Sequence, residues 1–398
     1  MKKRIWKRIK KRYIAAAVIN AAAIAAMAVL TAAGGSLAKS QSWNMAAHRW
    51  GCDSSDKFIQ MSCFFSENAD FSKNDAKGLY SKLMSKLKDS SIVSEDGKKL
   101  VPQAYSAPLG KYSVKCDRVG RSDAELIAAG GDFFLFHDFR LISGAYFSDD
   151  DLMQDGAVID KELAWALYGS SDIAGKNIYI NNIKLYIAGV IEQPSSSAEK
   201  KCIGKLPMAY VSYETAGKLS GGTSFADAGM MAGVYNDGSG TDMLSDPQTE
   251  NKFSKITCYE CIVPEPVENF AENTISDYFK GRYTNEMEVV NNTERFDPKK
   301  RAKQFGKLYR SVIKDDEISY PFWENSSRIV EYRLSCYYGM RRIISIIPIL
   351  TGLWLIAKLF IFARRRKGML RKKLSDLWLK IRKTIKKDKK PDIPDISA

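Results

Sequence analysis

The chain has 398 residues, a formal net charge of +15 and only two histidines. The excess charge sits at the ends: residues 1–12 carry eight Lys or Arg and no acid, and residues 364–398 carry fourteen against four Asp, so the stretch between them is slightly acidic. Overall basicity therefore does not describe a nucleic-acid-binding body, and His48 and His137, far apart and without HxxxH or HExxH spacing, argue against a catalytic zinc or a Ser-His-Asp triad.

Residues 1–12 form a basic segment, and residues 13–33 an apolar run of about 20, enough to cross the hydrocarbon core. Ser36, Leu37 and Ala38 have the small-x-small spacing of a leader cleavage site, which makes a removed signal peptide the competing reading. The length and alanine content of the run favour a retained span. Asn20, costly against lipid, is expected to face another helix; the plainer alternative is one tolerated Asn among alanines. Residues 43–65 are mixed and end apolar at Phe64 and Phe65. Residues 75–87 read as an amphipathic helix, with Leu79, Leu83 and Leu87 at i, i+4 and i+8 and lysines opposite. Residues 101–130 hold short strand-like pieces and turns.

The sharpest local pattern runs over residues 130–191. An aromatic run, Phe133, Phe134, Phe136 and Phe139, precedes a turn at Gly144 and an acidic corner, Asp149, Asp150 and Asp151. Ala157, Val158 and Ile159 then read as a strand. Asp160 caps a short helix whose apolar face is Leu163, Ala164 and Leu167, and Gly169 ends it. A hairpin follows: Ile178 and Ile180 alternate with polar neighbours, Asn181 and Asn182 tolerate the positive φ of a tight turn, and Ile183, Leu185 and Ile187 alternate on the return.

Residues 194–197 are expected as a loop, 206–213 as a strand, 220–245 as a long Gly-, Ser- and Asp-rich loop or insertion, and 255–263 as a strand. Residues 266–279 read as a helix with Val267, Phe270, Ile275 and Phe279 near one stripe, and 287–290 as a strand. Pro298 opens a helix whose apolar face includes Phe305, Leu308, Tyr309 and Val312. Pro321, Phe322 and Trp323 interrupt the chain. From Ser327, apolar residues recur at helical spacing into a second run of spanning length, 343–362, predicting one helix of about 35 residues over roughly 50 Å. Pro348 is expected to kink it, and Lys358 to snorkel to the interface.

Arg364, Arg365, Arg366 and Lys367 follow this run directly. The bias of basic residues toward the cytoplasm then puts both termini inside and residues 39–340 outside; Arg341 and Arg342 pull the other way but are outnumbered. Residues 364–390 read as a basic amphipathic helix. Met369, Leu370, Leu374, Leu377, Trp378, Ile381 and Ile385 form its apolar face, and Arg371, Lys372, Lys373, Lys380, Arg382 and Lys383 fill much of the rest. That pattern suits anionic lipid headgroups and makes Arg364, Arg365, Arg366, Lys367, Trp378 and Lys380 the candidate membrane-interface residues. A solvated charge run is the plainer alternative. No nucleic-acid partner is expected, since juxtamembrane charge follows from topology. Residues 391–398 are expected to be disordered.

Other constellations favour structure over chemistry. Cys258 and Cys261 have CxxC spacing, but Ile262, Val263 and Pro264 continue a strand, where residues three apart face opposite ways. Seven cysteines are an odd number; one or two disulfides fit, with Cys52–Cys63 the simplest pair, and free thiols fit equally. His137 reads as a packed or surface residue, and the Phe133 to Phe139 aromatics as core. The Asp149 corner lacks the ligand spacing of a calcium loop and reads as a turn capping the next helix. No GxxxxGK[ST] loop occurs, so this sequence holds no P-loop ATPase. No metal, cofactor or catalytic residue is assigned, and enzyme activity is not expected. The mixed order of helices and strands, without a 20–50-residue repeat, predicts an α+β body between two transmembrane helices.

Gly131, Asp132, Phe133 and Phe134, then Leu141, Ile142, Ser143, Gly144, Ala145, Tyr146 and Phe147, then Val158 through Ala164 follow a recognisable punctuation. Leu167, Tyr168 and Gly169, Ile173 through Lys176, and Tyr186 through Ile191 continue it. This segment, roughly one sixth of the chain and smaller than a usual domain, resembles the core extracytoplasmic domain of MacB-type ABC transporter permeases. The resemblance implies a MacB-like α+β domain in the bacterial plasma membrane. It also implies a permease-like or accessory subunit in which a separate ATPase moves the membrane helices and the outer domain changes shape. The family pattern has four spans, with the outer domain after the first, whereas one span precedes and one follows it here. The implied partners are thus a separate ABC ATPase subunit and a fuller permease subunit, with movement passing along residues 327–362. The competing reading is an anchored extracytoplasmic binding or sensor module, an FtsX-like regulator of envelope enzymes, without transport.

Overall fold

The computed structural model describes residues 2–52, 57–92, 99–220, 255–283, 286–307 and 317–387. The expected loop at 220–245 beyond Ser220, the helix positions Leu308, Tyr309 and Val312, and the tail 391–398 lie outside these residues. The chain divides into two compact units, Gly34–Cys336 and a second one composed of Met1–Ala33 with Tyr337–Ala398.

Helix α1 (Lys2–Lys39) is followed by a 3-10 turn, Ser42–Met45, and by α2 (Ala46–Trp50). Strand β1 (Phe58–Phe65) alternates by residue. Ile59, Met61, Cys63 and Phe65 enter one hydrophobic cluster, while Phe64 enters a second, which puts Gln60 and Ser62 on the Phe64 side. Helix α3 (Lys73–Asp89) opens with a capping box: the Asp75 N–H donates to the Ser72 hydroxyl, and the Ser72 N–H to the Asp75 carboxylate. Its expected stripe, Leu79, Leu83 and Leu87, is fully buried.

Strands β2 (Gln103–Cys116) and β3 (Arg121–Gly131) form one long antiparallel hairpin where the sequence suggested short pieces. The register shifts between Pro108 and Gly110, a bulge that breaks the alternation a long strand would show. Helix α4 (Phe133–Phe136) and β4 (Arg140–Gly144) occupy the aromatic run and the approach to its turn, where no element was expected; β5 (Gly156–Asp160), α5 (Lys161–Tyr168), β6 (Asn177–Ile180) and β7 (Ile183–Glu192) follow in the predicted order. The Leu163 N–H donates to Asp160 Oδ1 at 2.7 Å, Gly169 ends α5 at φ +68°, and Asn181 and Asn182 turn the hairpin at φ +47° and +64°. The acidic corner is a turn but caps no helix. Asp149 instead accepts from the Gly131 N–H at 2.8 Å and from the Tyr105 hydroxyl, tying the loop to the β2–β3 hairpin.

The remaining elements are α6 (Glu199–Cys202), β8 (Met208–Ser212), α7 (Tyr213–Ser220), β9 (Cys258–Pro264), α8 (Phe270–Phe279), β10 (Met287–Asn291), α9 (Pro298–Gln304), α10 (Phe322–Ile344) and α11 (Ile346–Lys387). Val267 lies before α8 and is exposed, so the helix stripe is shorter than expected. Pro321 opens a helix instead of interrupting the chain: its carbonyl accepts from the Asn325 N–H at the start of α10. Helices α10 and α11 are separated at Ser345 alone. Pro348 has no N–H to offer the Ile344 carbonyl, which accounts for the break.

Among the described residues the ten strands form one mixed sheet, ordered β10-β1-β9-β2-β3-β8-β5-β7-β4, with β6 paired to both β2 and β7. The β3–β8 and β5–β7 pairs are parallel and the others antiparallel. Because β6 joins Val114–Cys116 of β2 to β7, six strands close a hydrogen-bonded ring, β2-β3-β8-β5-β7-β6. Strands β9, β1 and β10 extend from the other end of β2 as a wing. One face of the wing carries the leucines of α3 with Ile275 and Phe279 of α8; the other carries α2, α4, and Phe322 and Trp323 of α10.

Two stretches, Lys11–Lys39 and Phe322–Arg364, are helical, long and apolar enough to cross a membrane. Within the unit they share, the Thr351 hydroxyl donates to Asn20 Oδ1 at 2.8 Å, so Asn20 meets another helix as expected. The Tyr13 and Trp354 rings lie 5.5 Å apart, and the Lys358 ammonium sits 4.0 Å from the centre of the Trp354 ring.

Candidate functional site: a buried polar network on the wing

Period-two alternation puts Gln60 and Ser62 of β1 beside Phe64, on the side of the wing that also receives α2 and the first turns of α10. Polar groups buried there need partners, and a chain of them forms. The Ser62 hydroxyl donates to Glu260 Oε1 at 2.9 Å, directly across the β1–β9 ladder. His137 Nε2 and Glu260 Oε2 are 2.6 Å apart, with side chains 1% and 5% exposed. Asn292 Nδ2 donates to Ser62 Oγ at 2.7 Å, Asn44 Nδ2 donates to Asn292 Oδ1 at 2.9 Å, and the Ser327 hydroxyl donates to Asn44 Oδ1 at 2.9 Å. Gln60 extends the line, accepting from the Ala46 N–H and donating to the Trp43 carbonyl.

Charges continue it. Arg295 donates through both terminal nitrogens to Glu324, at 2.7 and 2.8 Å, through Nε to Glu331 at 3.1 Å, and to Asn292 Oδ1 at 3.3 Å. Arg328 donates to Glu324 at 2.7 Å and to Glu288 at 2.8 Å, and its guanidinium lies 3.9 Å from the centre of the Tyr320 ring. Arg301 pairs with Glu331. Three guanidiniums thus face three carboxylates, so the cluster is close to neutral, the condition under which buried ions persist. Burial, with the like charge of Arg295, lowers the Arg301 guanidinium to about 10.

Aromatic side chains wall off the His137 end. Trp43, Phe133 and Trp323 lie 5.5, 4.4 and 4.6 Å from the imidazole centre. The segment after α1 (Trp43, Asn44, Arg49) and the first three turns of α10 (Trp323, Glu324, Ser327, Arg328, Glu331) are therefore joined through one polar core to β1, β9 and β10. Arg49 adds bonds to the Leu135 and Phe136 carbonyls at 2.9 and 3.2 Å. Such a core defines one docking geometry, because any other leaves buried charges without partners.

The sequence left His137 as a packed or surface residue, and it is packed; the other network residues were missed. Their signals were two polar side chains at spacing two in an otherwise apolar strand, and Glu324, Arg328 and Glu331 at i, i+4 and i+7 on a helix. Of the expected interface residues, only the side chains of Arg364 and Trp378 are among those described. Arg364 is exposed, its guanidinium 4.7 Å from the centre of the Phe360 ring, and Trp378 is exposed. The side chains of Arg365, Arg366, Lys367 and Lys380 lie outside the description. Cys63 is buried on β1, Cys52 is exposed, and both are free thiols. Cys258 and Cys261 point into opposite hydrophobic clusters, as a strand requires, and burial raises both thiols. Among the described residues no group of three His, Cys, Asp or Glu is placed to hold a metal.

A family model described as MacB-like periplasmic core domain matches residues 15–246. The chain is 31% identical over 127 residues to the macrolide export ATP-binding/permease protein MacB of Haemophilus ducreyi, covering 30% of this chain and 18% of that protein. It is 32% identical over 79 residues to the protein of the same name from Pasteurella multocida, covering 19% and 12%. The matched regions are thus less than a fifth of those relatives' length. Similar solved structures include the periplasmic region of MacB from Actinobacillus actinomycetemcomitans, at 14% identity over 58% of this chain and 88% of that one, TM-score 0.37. Another is the extracellular domain of the noncanonic ABC-type transporter YknZ from Gram-positive bacteria, at 16% identity over 58% and 100%, TM-score 0.35.

Proposed function

Because the chain belongs to the MacB-like periplasmic core domain family, whose model matches more than half of it, we propose that it is a membrane-embedded, permease-type component of an ABC transporter. In this reading its α+β body lies outside the membrane, both termini lie in the cytoplasm, and a separate ATPase subunit drives it together with a fuller permease subunit. The basic segment at 364–390 rests on anionic lipid headgroups.

The observation that carries the reading is the polar core joining the segment after α1 and the start of α10 to one wing of the sheet. A helix that enters the body through buried bidentate ion pairs transmits displacement to the strands that hold it, because slippage strands charges without partners. Movement is thus relayed through Glu324, Arg295 and Asn292 to Ser62 and Glu260.

Mild solubilisation of the intact protein, followed by mass spectrometry of what accompanies it, tests the reading. An ABC ATPase together with a larger permease is the expected result. Recovery of an envelope hydrolase without any ATPase would favour the anchored-regulator alternative, and recovery of neither would remove the transport reading.

A further inference from the structure

A cavity of about 180 Å³ opens between the sheet and the start of α10. Its floor includes Glu125 and Ile127 of β3 and Met208 of β8; its walls include Cys202 and the aromatic side chains Tyr320, Phe322 and Trp323. A cavity of about 150 Å³ takes benzene, so this one holds roughly six or seven heavy atoms, the size of a guanidinium head with a short stem.

Its chemistry is lopsided. Among the described residues Glu125 is the one formally charged side chain in the lining, and it is half-buried. Among the described residues its carboxylate has no hydrogen-bond or ion-pair partner. Trp323, 5% exposed, adds an aromatic ring to the wall. A carboxylate in a pocket walled by aromatic rings attracts a cation twice, through its charge and through the rings' negative faces. The same neighbourhood already shows that preference, since the Arg328 guanidinium lies over the Tyr320 ring.

We propose that this cavity binds an alkylguanidinium, its charged head against Glu125 and its stem along the aromatic wall. The source is either a free small cation or an arginine side chain of a polypeptide, and the proposal holds whether or not the chain works with an ATPase. Trp323 belongs to the first turn of α10, immediately before Glu324, so an occupant touches the helix where it enters the polar core.

Isothermal titration of the full-length protein in detergent with agmatine and with the tripeptide Gly-Arg-Gly tests this. Saturable binding of at least one probe is expected; agmatine alone assigns the site to a free cation, and a tighter tripeptide assigns it to a polypeptide. Glu125→Gln is expected to weaken binding about tenfold or more, the cost of one charge-assisted hydrogen bond. Trp323→Phe, which replaces the indole with a smaller ring of weaker negative face, is expected to weaken it less. A thermal melt of each variant confirms that it is folded. No saturable heat with either probe, equal binding of a neutral alkylurea of the same length, or unchanged affinity in a folded Glu125→Gln variant would each overturn the proposal.

Discussion

Arg295 and Glu324 meet through two parallel hydrogen bonds, of 2.7 and 2.8 Å, with side chains only 3% and 2% exposed. Breaking such a pair from one side leaves an uncompensated buried charge, at a cost of about 3–5 kcal/mol. Arg295→Met and Glu324→Leu are each expected to lower stability by that amount. The double variant should cost clearly less than the sum, although Arg328 then keeps Glu288 alone among its carboxylates. Denaturant midpoints of the intact protein measure this, and strict additivity would mean that the pair is not energetically coupled.

Asp160 gives a pH dependence with a definite sign. Its carboxylate is fully buried; Oδ1 accepts from the Leu163 N–H and Oδ2 from the Met208 N–H and Gln193. Burial, the largest influence, and the nearby charge of Glu162 raise its pKa, and the three donors offset them only in part. With the folded value above the unfolded one of about 3.9, the group's contribution is complete below the unfolded value and is lost as pH rises through the folded one. Asp160→Asn cannot titrate and sets an NH₂ against the Met208 N–H. It should be less stable overall and show a flatter profile in urea midpoints taken from about pH 4 to pH 7.

Two left-handed glycines separate strain from collision. Gly169 ends α5 at φ +68°, and a Cβ there would meet nothing within 4 Å. Gly169→Ala is expected to cost about 1–2 kcal/mol from backbone conformation alone. A Cβ on Gly144, at φ +78°, would sit 2.1 Å from the Ala188 carbonyl oxygen across the β4–β7 pair. Gly144→Ala should therefore cost several-fold more and disturb the edge of the sheet, which amide hydrogen exchange along β4 would report.

The residues that end and begin elements close to their own position were legible from sequence. Asp160, Gly169, Asn181 and Asn182 act within a few residues of themselves, and the helix and hairpin they delimit lie where expected. The leucine stripe of α3 was legible for the same reason. The β2–β3 hairpin was not, because the Pro108 to Gly110 bulge hides its periodicity. The polar core was not, because its partners are remote: Ser327 and Asn44 are 283 residues apart, and Asn292 and Ser62 are 230 apart. Alternation along β1 puts Gln60 and Ser62 on one side, but the strand itself was not expected, and which side receives α10 is a property of the sheet order β10-β1-β9. Pro321 was misjudged because proline ends a helix that precedes it and serves equally well before one that follows.

The Asn20–Thr351 contact joins the two apolar helices of one unit, and it is polar at a depth where water is absent if both helices span the bilayer. Asn20 Nδ2 already returns to the Ala16 carbonyl at 2.7 Å, which leaves Oδ1 to accept from Thr351. The Thr351 hydroxyl has local acceptors as well, the Ile347 carbonyl at 3.0 Å and the Pro348 carbonyl at 3.1 Å. Both groups therefore keep a partner when the helices part, which is why such bonds average only about 0.6 kcal/mol in membranes. Thr351→Val is expected to weaken helix association by about that amount, and Thr351→Ser to leave it nearly unchanged, since serine retains the donor. The geometry is tested separately by cysteine cross-linking with the pair N20C and T351C in otherwise cysteine-free protein held in bilayers. Efficient disulfide formation under mild oxidant is expected. Equal cross-linking at positions one residue away on each helix would show that the helices slide past one another and that the bond does not fix their register.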